Sequence, residues 1–306
     1  MEHPLFAIET KQLHYSFNKH FKVVNNVSLQ VPVGSIFGFL GPNGAGKTTS
    51  IRLISGLLQN DADNIFIFGQ SLKQQLPDVF THIGALVETP SLYLHLSGYN
   101  NLKVIAEMRN LPHTRINEVL EQVDLLKAAN RKAKEYSLGM KQRLGIAMAL
   151  LANPKLLILD EPVNGLDPNG MVEMRELLIR LNKEQGTTIF ISSHLLSEIE
   201  KMCTHIAFIH KGVLRFQGTL SELHGIAGNN RQVWFKVSDA ENWQQRLAQR
   251  YQSVLHVQDQ FLQFDIANDE EVIQLNKELV SEGVPVTGIQ SKAGLEEWFM
   301  QQLKQS

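Results

Sequence analysis

Short apolar runs alternate with amphipathic stretches along the first 220 residues of the chain. Apolar runs that favour β-strands occupy residues 6–13, 27–31, 36–40, 64–69, 82–88, 155–160, 187–194, 205–212 and 213–218. Stretches with helical periodicity occupy residues 47–58, most of 95–136, 141–151 and 168–185. Strands that alternate with helices predict an α/β fold around a mainly parallel sheet.

The pattern changes after residues 225–230, GIAGNN, which are rich in glycine and asparagine and are predicted to form a linker. Beyond this segment the predicted order of elements is strand, helix, strand, strand, helix, strand and a last helix at residues 295–304. The first six elements have the βαββαβ order of a split βαβ module. The predicted organisation is therefore an α/β domain of residues 1–224, a linker, and a small accessory α/β module of residues 231–306.

Composition and charge exclude several classes of protein. The 306 residues carry a formal net charge of −2, so no overall basic charge indicates binding to nucleic acid. One cysteine, Cys203, excludes an intramolecular disulfide framework and suits a reducing compartment. The first residues lack the pattern of a secretory signal, and the longest apolar stretch, residues 144–152, is too short to span a bilayer. A membrane role is therefore expected to depend on a partner chain.

The stretch GPNGAGKTT matches the phosphate-loop pattern G-x-x-x-x-G-K-[ST]. Its glycines let backbone N–H groups converge on phosphate oxygens, while Lys47 can reach the β- and γ-phosphates and the Thr48 hydroxyl can ligate Mg²⁺. A helix that begins there adds the positive end of its dipole. An accidental glycine turn is the alternative, and the flanking strand and helix argue against it. The predicted nucleotide-binding residues are Gly41, Pro42, Asn43, Gly44, Ala45, Gly46, Lys47, Thr48 and Thr49.

A second motif, LLILDEP, ends an apolar strand with Asp160 and Glu161. Acids at the carboxyl end of such a strand lie where α/β sheets bind ligands. Asp160 is therefore predicted to help hold Mg²⁺, and Glu161 to orient or deprotonate a water molecule. On its own the motif is weak, because strands often end in solvated acids; the glycine loop makes the pair specific.

Three further elements complete a resemblance to ABC-type ATPases. The signature sequence of that family resembles Tyr136-Ser137-Leu138-Gly139-Met140, its D-loop resembles GLDP at 165–168, and its switch histidine corresponds to His194 in ISSHLLSEIE. The order and spacing of all these elements match over residues 5–220. The resemblance implies that residues 1–224 form a P-loop NTPase core with antiparallel β and helical subdomains, the helical one at about 89–152.

The resemblance also implies how the motifs cooperate. In the family, two ATPase domains enclose two ATP molecules, and the signature of one domain closes over the phosphate loop of the other. Ser137 and the N–H group of Gly139 would then bind the γ-phosphate from the second chain, and His194 would contact the same phosphate. By the family's spacing, Phe17 is the residue expected to stack on adenine, although it also fits an ordinary strand aromatic.

Two departures from the general pattern point to a subgroup. The usual signature is L-S-G-G-Q; here Leu138 stands in place of its first glycine and Met140 in place of its glutamine, on either side of Gly139. Leu138 lacks the freedom of glycine at positive φ, so the turn has to accommodate a side chain. Glu88 stands where the Q-loop glutamine is usual, and it is predicted to join Thr48 as a metal ligand. Both variants are similar to transporter ATPases associated with bacitracin efflux and lantibiotic self-protection.

The resemblance implies an ATP-binding and ATP-hydrolysing subunit of an ABC transporter that uses ATP and Mg²⁺. An exporter is expected, peripheral on the cytoplasmic face of the membrane, with an integral-membrane permease and a second copy or a paralogous ATPase as partners. The cargo is expected to be a peptide antibiotic or another amphiphile. One alternative keeps the ATPase core but gives it a regulatory or assembly role. Another acts on ribosomes or DNA, which usually requires two cassettes or a long coiled coil.

Overall fold

The chain divides into two units, residues 1–219 and residues 220–306. The computed structural model describes residues 5–18, 21–59, 62–228, 231–247, 254–258, 260–266, 269–292, 295, 298–299 and 302–303. Among these residues no helix combines the length and the apolar character that crossing a bilayer requires.

The elements of the first unit follow one another in a strand–helix rhythm. In chain order they are β1 (Phe6–Thr10), β2 (Leu13–Asn18), β3 (Phe21–Val27), β4 (Gln30–Pro32), β5 (Ile36–Leu40), α1 (Lys47–Ile54), β6 (Ile65–Ile67), β7 (Gln70–Ser71), α2 (Leu72–Gln75), β8 (Ile83–Leu86), α3 (Gly98–Met108), α4 (Thr114–Gln122), α5 (Leu138–Leu150), β9 (Leu156–Asp160), α6 (Pro168–Gln185), β10 (Thr188–Ser193), α7 (Leu196–Met202), β11 (His205–His210) and β12 (Val213–Thr219).

A six-stranded sheet in the order β12-β11-β5-β10-β9-β8 forms the centre of this unit. All of its neighbours run parallel except β11 and β12, which confirms the predicted mainly parallel sheet. Every residue of β5, β9 and β10 is buried, as expected for strands covered on both faces. Ser192 of β10 stands opposite Asp160 of β9, and Ser193 stands opposite Leu40 of β5. The carboxyl ends of three neighbouring strands therefore meet at one edge.

The amino-terminal antiparallel part differs from the prediction. The predicted strand 6–13 is wrong: β1 and β2 are separate, and Gln12 between them adopts a left-handed φ of 50°. β1 joins a sheet in the order β4-β1-β6-β7, whereas β2 pairs with β3 as a hairpin that the sequence pattern did not indicate. Asn25 and Asn26 in β3 are turn-favouring residues, and Asn26 has a φ of 55°. Because of these two residues, the sequence pattern did not predict β3 as a strand.

One predicted helical segment is shorter in the structure, and another is divided into several helices. α1 ends at Ile54 instead of residue 58, because Gly56 turns left-handed with a φ of 72°. The segment 95–136 contains α3 and α4, followed by short 3₁₀ turns at Leu126–Ala128 and Ala133–Glu135. The segment is thus mostly helical, as predicted.

The second unit is built on a four-stranded antiparallel sheet. Its elements are α8 (Leu220–Gly228), β13 (Arg231–Val237), α9 (Ala240–Leu247), β14 (Val254–Gln258), β15 (Phe261–Ile266), α10 (Asp269–Ser281) and β16 (Val286–Lys292). The sheet order β14-β15-β13-β16 and the βαββαβ sequence confirm the predicted split βαβ module. Phe235, Leu262, Phe264 and Leu279 are fully buried in its core.

The boundary between the units has a different conformation from the predicted one. Residues 225–228 of the predicted linker 225–230 are helical, since they form the end of α8, and residues 229–230 lie outside the described residues. Glycine and asparagine favour loops locally, but Gly225 and Gly228 are tolerated in this helix. Within the predicted last helix, 295–304, residues 295, 298–299 and 302–303 are helical, and the other five lie outside the described residues. The domain boundary at 224 and the independence of the accessory module stay predictions.

We expect Gly38 to be required where α7 packs against β5. A Cβ placed on Gly38 would lie 2.6 Å from Cγ2 of Ile199 and 3.1 Å from Sγ of Cys203. Gly38→Ala should lower the free energy of unfolding by about 1–3 kcal/mol through overpacking. Ile199→Ala alone should cost about 2–5 kcal/mol. Ile199→Ala removes the methyl group with which the added Cβ would clash. The double variant should therefore lose clearly less stability than the sum of the two single losses.

The free energies of unfolding of the wild type, the two single variants and the double variant are measured by urea unfolding, followed by far-ultraviolet circular dichroism. All three tryptophans, Trp234, Trp243 and Trp298, belong to the second unit, so their fluorescence would report on the wrong part of the chain. Strictly additive losses would contradict the contact between Gly38 and Ile199.

Candidate nucleotide-binding site

The loop between β5 and α1 has a backbone path that only glycine permits at two positions. A Cβ on Gly41 would lie 2.4 Å from the carbonyl oxygen of Ile209, and one on Gly46 would lie 2.6 Å from that of Val23. Gly46 also has a φ of 105°. The loop leads directly into α1, whose first N–H groups have no intrahelical partner. This arrangement suits a phosphate group, which favours N–H donors and the positive end of a helix dipole.

Lys47, the first residue of α1, has its ammonium group buried at the loop. The residue is 5% exposed. Its Nζ donates to the carbonyl oxygens of Gly41 at 2.7 Å and Pro42 at 3.2 Å, and lies 3.1 Å from Oε1 of Glu161. A buried ammonium group requires such oxygen partners. The cation is therefore fixed beside the loop instead of extending into solvent.

Glu161, the residue after β9, connects Lys47 to His194. Its backbone adopts a left-handed φ of 51°, and its Oε2 lies 2.8 Å from Nδ1 of His194. The two groups share one hydrogen bond, in which an ionised carboxylate would accept from Nδ1–H. Lys47, Glu161 and His194 thus form a continuous chain of polar contacts at the carboxyl edge of the sheet.

Asp160 is paired with two hydroxyl groups. It is 4% exposed; its Oδ2 accepts from Oγ1 of Thr48 at 2.8 Å, and its Oδ1 accepts from Oγ of Ser192 at 2.5 Å. A carboxylate beside a hydroxyl is an oxygen-donor set of the kind that Mg²⁺ takes when phosphates supply further ligands. The described residues include no cluster of three or more His, Cys, Asp or Glu side chains arranged to hold a metal ion. The arrangement fits Mg²⁺ bound together with a phosphate.

Ser192 is a site residue that the sequence motifs missed. It is fully buried, and besides its bond to Asp160 its Oγ accepts the backbone N–H of Glu161 at 2.9 Å. The available signal was a hydroxyl directly after the apolar run 189–191 of β10, two positions before His194.

Glu88 contacts α1 one helical turn beyond the predicted metal ligand Thr48. Its carboxylate pairs with the guanidinium group of Arg52, which follows Thr48 by four residues on α1 and shares its face. Glu88 adopts a left-handed φ of 64° and remains exposed. The structure therefore gives its side chain a basic partner that the sequence motif did not indicate.

Phe17 presents an aromatic ring on the hairpin beside the loop. Its side chain is 61% exposed and meets Tyr15 edge to face, with 5.1 Å between the ring centroids. The partner strand β3 supplies Val23, whose carbonyl oxygen approaches Gly46. An exposed ring at this position is available for stacking against a base.

The signature segment caps α5. Oγ of Ser137 accepts the N–H of Met140 at 3.2 Å, which leaves its own hydroxyl proton for another acceptor. Leu138 is the first residue of α5 and has a helical backbone, so the leucine needs no positive φ. The N–H groups of Leu138 and Gly139 lack intrahelical partners because they belong to the first turn.

Tyr136 fixes the start of this segment. Its hydroxyl donates to the carbonyl oxygen of Ala128 at 2.7 Å. Burial raises the pKa of Tyr136, an effect that the charge of Arg131 only partly offsets. The phenol therefore stays a hydrogen-bond donor at neutral pH.

Some of the predicted residues line two separate clefts of the chain. One cleft is lined by Val23, Asn43, Gly44, Gly46, Lys47, Thr48, Thr49 and Glu161. Another is lined by Ser137, Leu138, Gly139, Met140, Arg143 and residues of the GLDP segment and α6. In the second cleft Cδ2 of Leu138 would lie 3.2 Å from a Cβ on Gly165. The structure thus brings Leu138 against the GLDP segment.

Comparisons with known proteins agree on one family. The sequence profile described as "ABC transporter" matches residues 24–164. The bacitracin transport ATP-binding protein BcrA of Enterococcus faecalis is 40% identical over 298 residues, 96% of this chain and 95% of that protein. The lantibiotic transport ATP-binding protein SrtF of Streptococcus pyogenes is 42% identical over 205 residues, 67% of this chain and 87% of that protein.

A similar architecture occurs among solved structures. The ATP-binding cassette MJ0796, solved as a dimer in a post-hydrolysis state with ADP and Pi, matches with a TM-score of 0.61 and 24% identity. The match covers 70% of this chain and 98% of that one. At this identity the likeness concerns the fold.

The loop geometry predicts that two glycines with positive φ differ in how well they tolerate alanine. Gly44 has a φ of 79° and no atom within 4 Å of a placed Cβ, whereas Gly46 faces the carbonyl oxygen of Val23. Without nucleotide, Gly44→Ala should lower the free energy of unfolding by about 1 kcal/mol through backbone strain alone. Gly46→Ala should cost about 3 kcal/mol or more, because strain and overlap add. Urea unfolding measures both, and equal losses would contradict the close approach of Val23.

Proposed function

Because this chain belongs to the family of ATP-binding subunits of ABC transporters, we propose that it works as a dimer that encloses two Mg·ATP and drives a separate membrane permease. The family relationship makes the chain an ATPase, and named bacitracin and lantibiotic transport proteins are among its relatives. The contact chain Lys47–Glu161–His194 at the sheet edge is the observation that carries the proposal.

The phosphate loop and Lys47 bind the β- and γ-phosphates. The loop supplies N–H groups at the start of α1, and Lys47 supplies a cation whose position is already fixed. Thr48 and Asp160 would hold Mg²⁺, with Glu88 as a further candidate ligand; when bound, the ion neutralises phosphate charge. The exposed ring of Phe17 supports stacking of the adenine on the neighbouring hairpin.

Glu161 and His194 serve the hydrolytic step. Glu161 orients the attacking water or accepts its proton, and His194 contacts the γ-phosphate. Lys47 can bind that phosphate only by sharing its ammonium group between phosphate and Glu161. Binding therefore loosens the hold on the Glu161 carboxylate at the moment when that carboxylate has to face a water molecule.

The signature segment supplies the second half of each site. Ser137 and Gly139 line a cleft that is distinct from the phosphate-loop cleft of the same chain. A second copy, or a paralogous ATPase, would bring its own phosphate loop to these donors. ADP lacks the γ-phosphate that joins the two chains, so the dimer opens after hydrolysis. This opening and closing is the movement that a permease uses.

The relatives support export of a peptide antibiotic or another amphiphile. Proteins named for bacitracin and lantibiotic transport match at 40% and 42% identity. Cargo would be bound by the permease, with this chain peripheral on the cytoplasmic face of the membrane and no role for nucleic acid. The module of residues 231–306 contributes dimer contacts or regulation.

Composite sites are tested by mixing two inactive variants. Lys47→Ala removes the phosphate anchor and Ser137→Arg blocks the signature, so each homodimer should lack ATPase activity. A heterodimer contains one site with both defects and one intact site. Equal mixing, with exchange of subunits, should restore about a quarter of wild-type turnover, because half of the dimers carry one of two working sites.

A matched control uses two variants on the same side of the site. Lys47→Ala mixed with Glu161→Gln damages both sites of every heterodimer, so turnover should stay absent. The proposal fails if the Ser137→Arg homodimer hydrolyses ATP normally, or if both mixtures behave alike.

A further inference from the structure

Ser192 occupies the point where the two acidic side chains of the site are joined. It lies on β10 opposite Asp160 of β9 and is fully buried. Its hydroxyl donates to Oδ1 of Asp160 at 2.5 Å and accepts the N–H of Glu161 at 2.9 Å. We propose that Ser192 is a positioning residue that orients Asp160 toward the metal side of the site and holds the backbone of Glu161. The inference rests on the proposed function.

The first contact decides which carboxylate oxygen of Asp160 faces the nucleotide. Oδ1 is occupied by the Ser192 hydroxyl, while Oδ2 points to Thr48 at 2.8 Å. A hydrogen bond to a carboxylate is stronger than one between neutral groups. Without it the carboxylate could rotate about its last bond and present either oxygen to Thr48. Ser192 therefore fixes one rotamer of Asp160.

The second contact stabilises an uncommon backbone conformation. Glu161 has a φ of 51°, a region that non-glycine residues seldom occupy and that is retained where neighbouring structure enforces it. Its N–H donates to the Ser192 hydroxyl at 2.9 Å. This backbone turn directs the Glu161 side chain to Lys47 and His194. One hydroxyl thus couples the metal-side acid to the proposed base.

Both roles need an O–H group, a requirement that separates them from simple packing. A serine hydroxyl has one proton to donate and lone pairs to accept, and Ser192 uses both capacities. Ser192→Ala removes both contacts. Ser192→Cys keeps the volume but offers only a weak donor and acceptor, whereas Ser192→Thr keeps the hydroxyl. The ranking of these variants by nucleotide affinity and kcat therefore distinguishes a requirement for hydrogen bonding from a requirement for side-chain volume.

The experiment measures binding of a non-hydrolysable ATP analogue to the full chain by calorimetry, with Mg²⁺ and with EDTA. For Ser192→Ala, affinity in EDTA should stay near wild type because the phosphate loop is unchanged. The gain in affinity that Mg²⁺ provides should shrink about tenfold, the size expected for a lost hydrogen bond to a charged group. kcat should fall as well, and KM should rise with the weaker Mg·ATP binding. Ser192→Cys should resemble Ser192→Ala, and Ser192→Thr should retain most of both quantities.

Ser55→Ala is the matched control. Ser55 is also buried, but its hydroxyl donates to the carbonyl oxygen of Ile51 at the end of α1, so binding and kcat should remain at wild-type values. The inference is overturned if Ser192→Ala keeps the full Mg²⁺ gain, or if Cys retains function while Thr loses it. A wild-type chain whose affinity does not respond to Mg²⁺ would instead overturn the proposed function.

Discussion

The buried ammonium group of Lys47 is the constraint around which the site is organised. A cation that is 5% exposed requires oxygen partners, and removing one partner of a buried pair typically costs about 3–5 kcal/mol. The loop carbonyl oxygens of Gly41 and Pro42 and the carboxylate of Glu161 satisfy it here. Because these partners come from the ends of β5 and β9, the two strands have to end at the same edge of the sheet. The strand order of the sheet therefore provides the oxygen partners that the buried ammonium group requires.

The register of the parallel strands brings the parts of the site together at this edge. β10 lies between β5 and β9, so its last residues can reach both neighbours. Ser193 accepts the N–H of Gly41 with its carbonyl oxygen, and Ser192 binds Asp160 and Glu161. His194 follows immediately and contacts Glu161. Three consecutive residues of one strand end thus connect the phosphate loop, the metal-side acid and the proposed base.

The sequence predicted the parts of the fold that depend on local patterns. The apolar runs of β5, β9 and β10 indicated buried parallel strands, and the glycine loop and the acid-ended strand indicated the site. The hairpin strand β3 was missed because Asn25 and Asn26 locally favour a turn. The pairs Ser192–Asp160 and Glu88–Arg52 join residues 32 and 36 positions apart. No local pattern encodes such pairs, since strand register and loop path decide them.

The central claim is that Lys47, held by Glu161, is the anchor for phosphate. Calorimetry with a non-hydrolysable ATP analogue and Mg²⁺ tests it in the wild type, Lys47→Ala and Glu161→Gln. Lys47→Ala should bind about tenfold more weakly or worse, because a charged hydrogen-bond donor is lost. Glu161→Gln should bind at least as tightly as the wild type, because the ammonium group no longer has an anionic competitor. Wild-type affinity in Lys47→Ala, or clearly weaker binding in Glu161→Gln, would contradict the account.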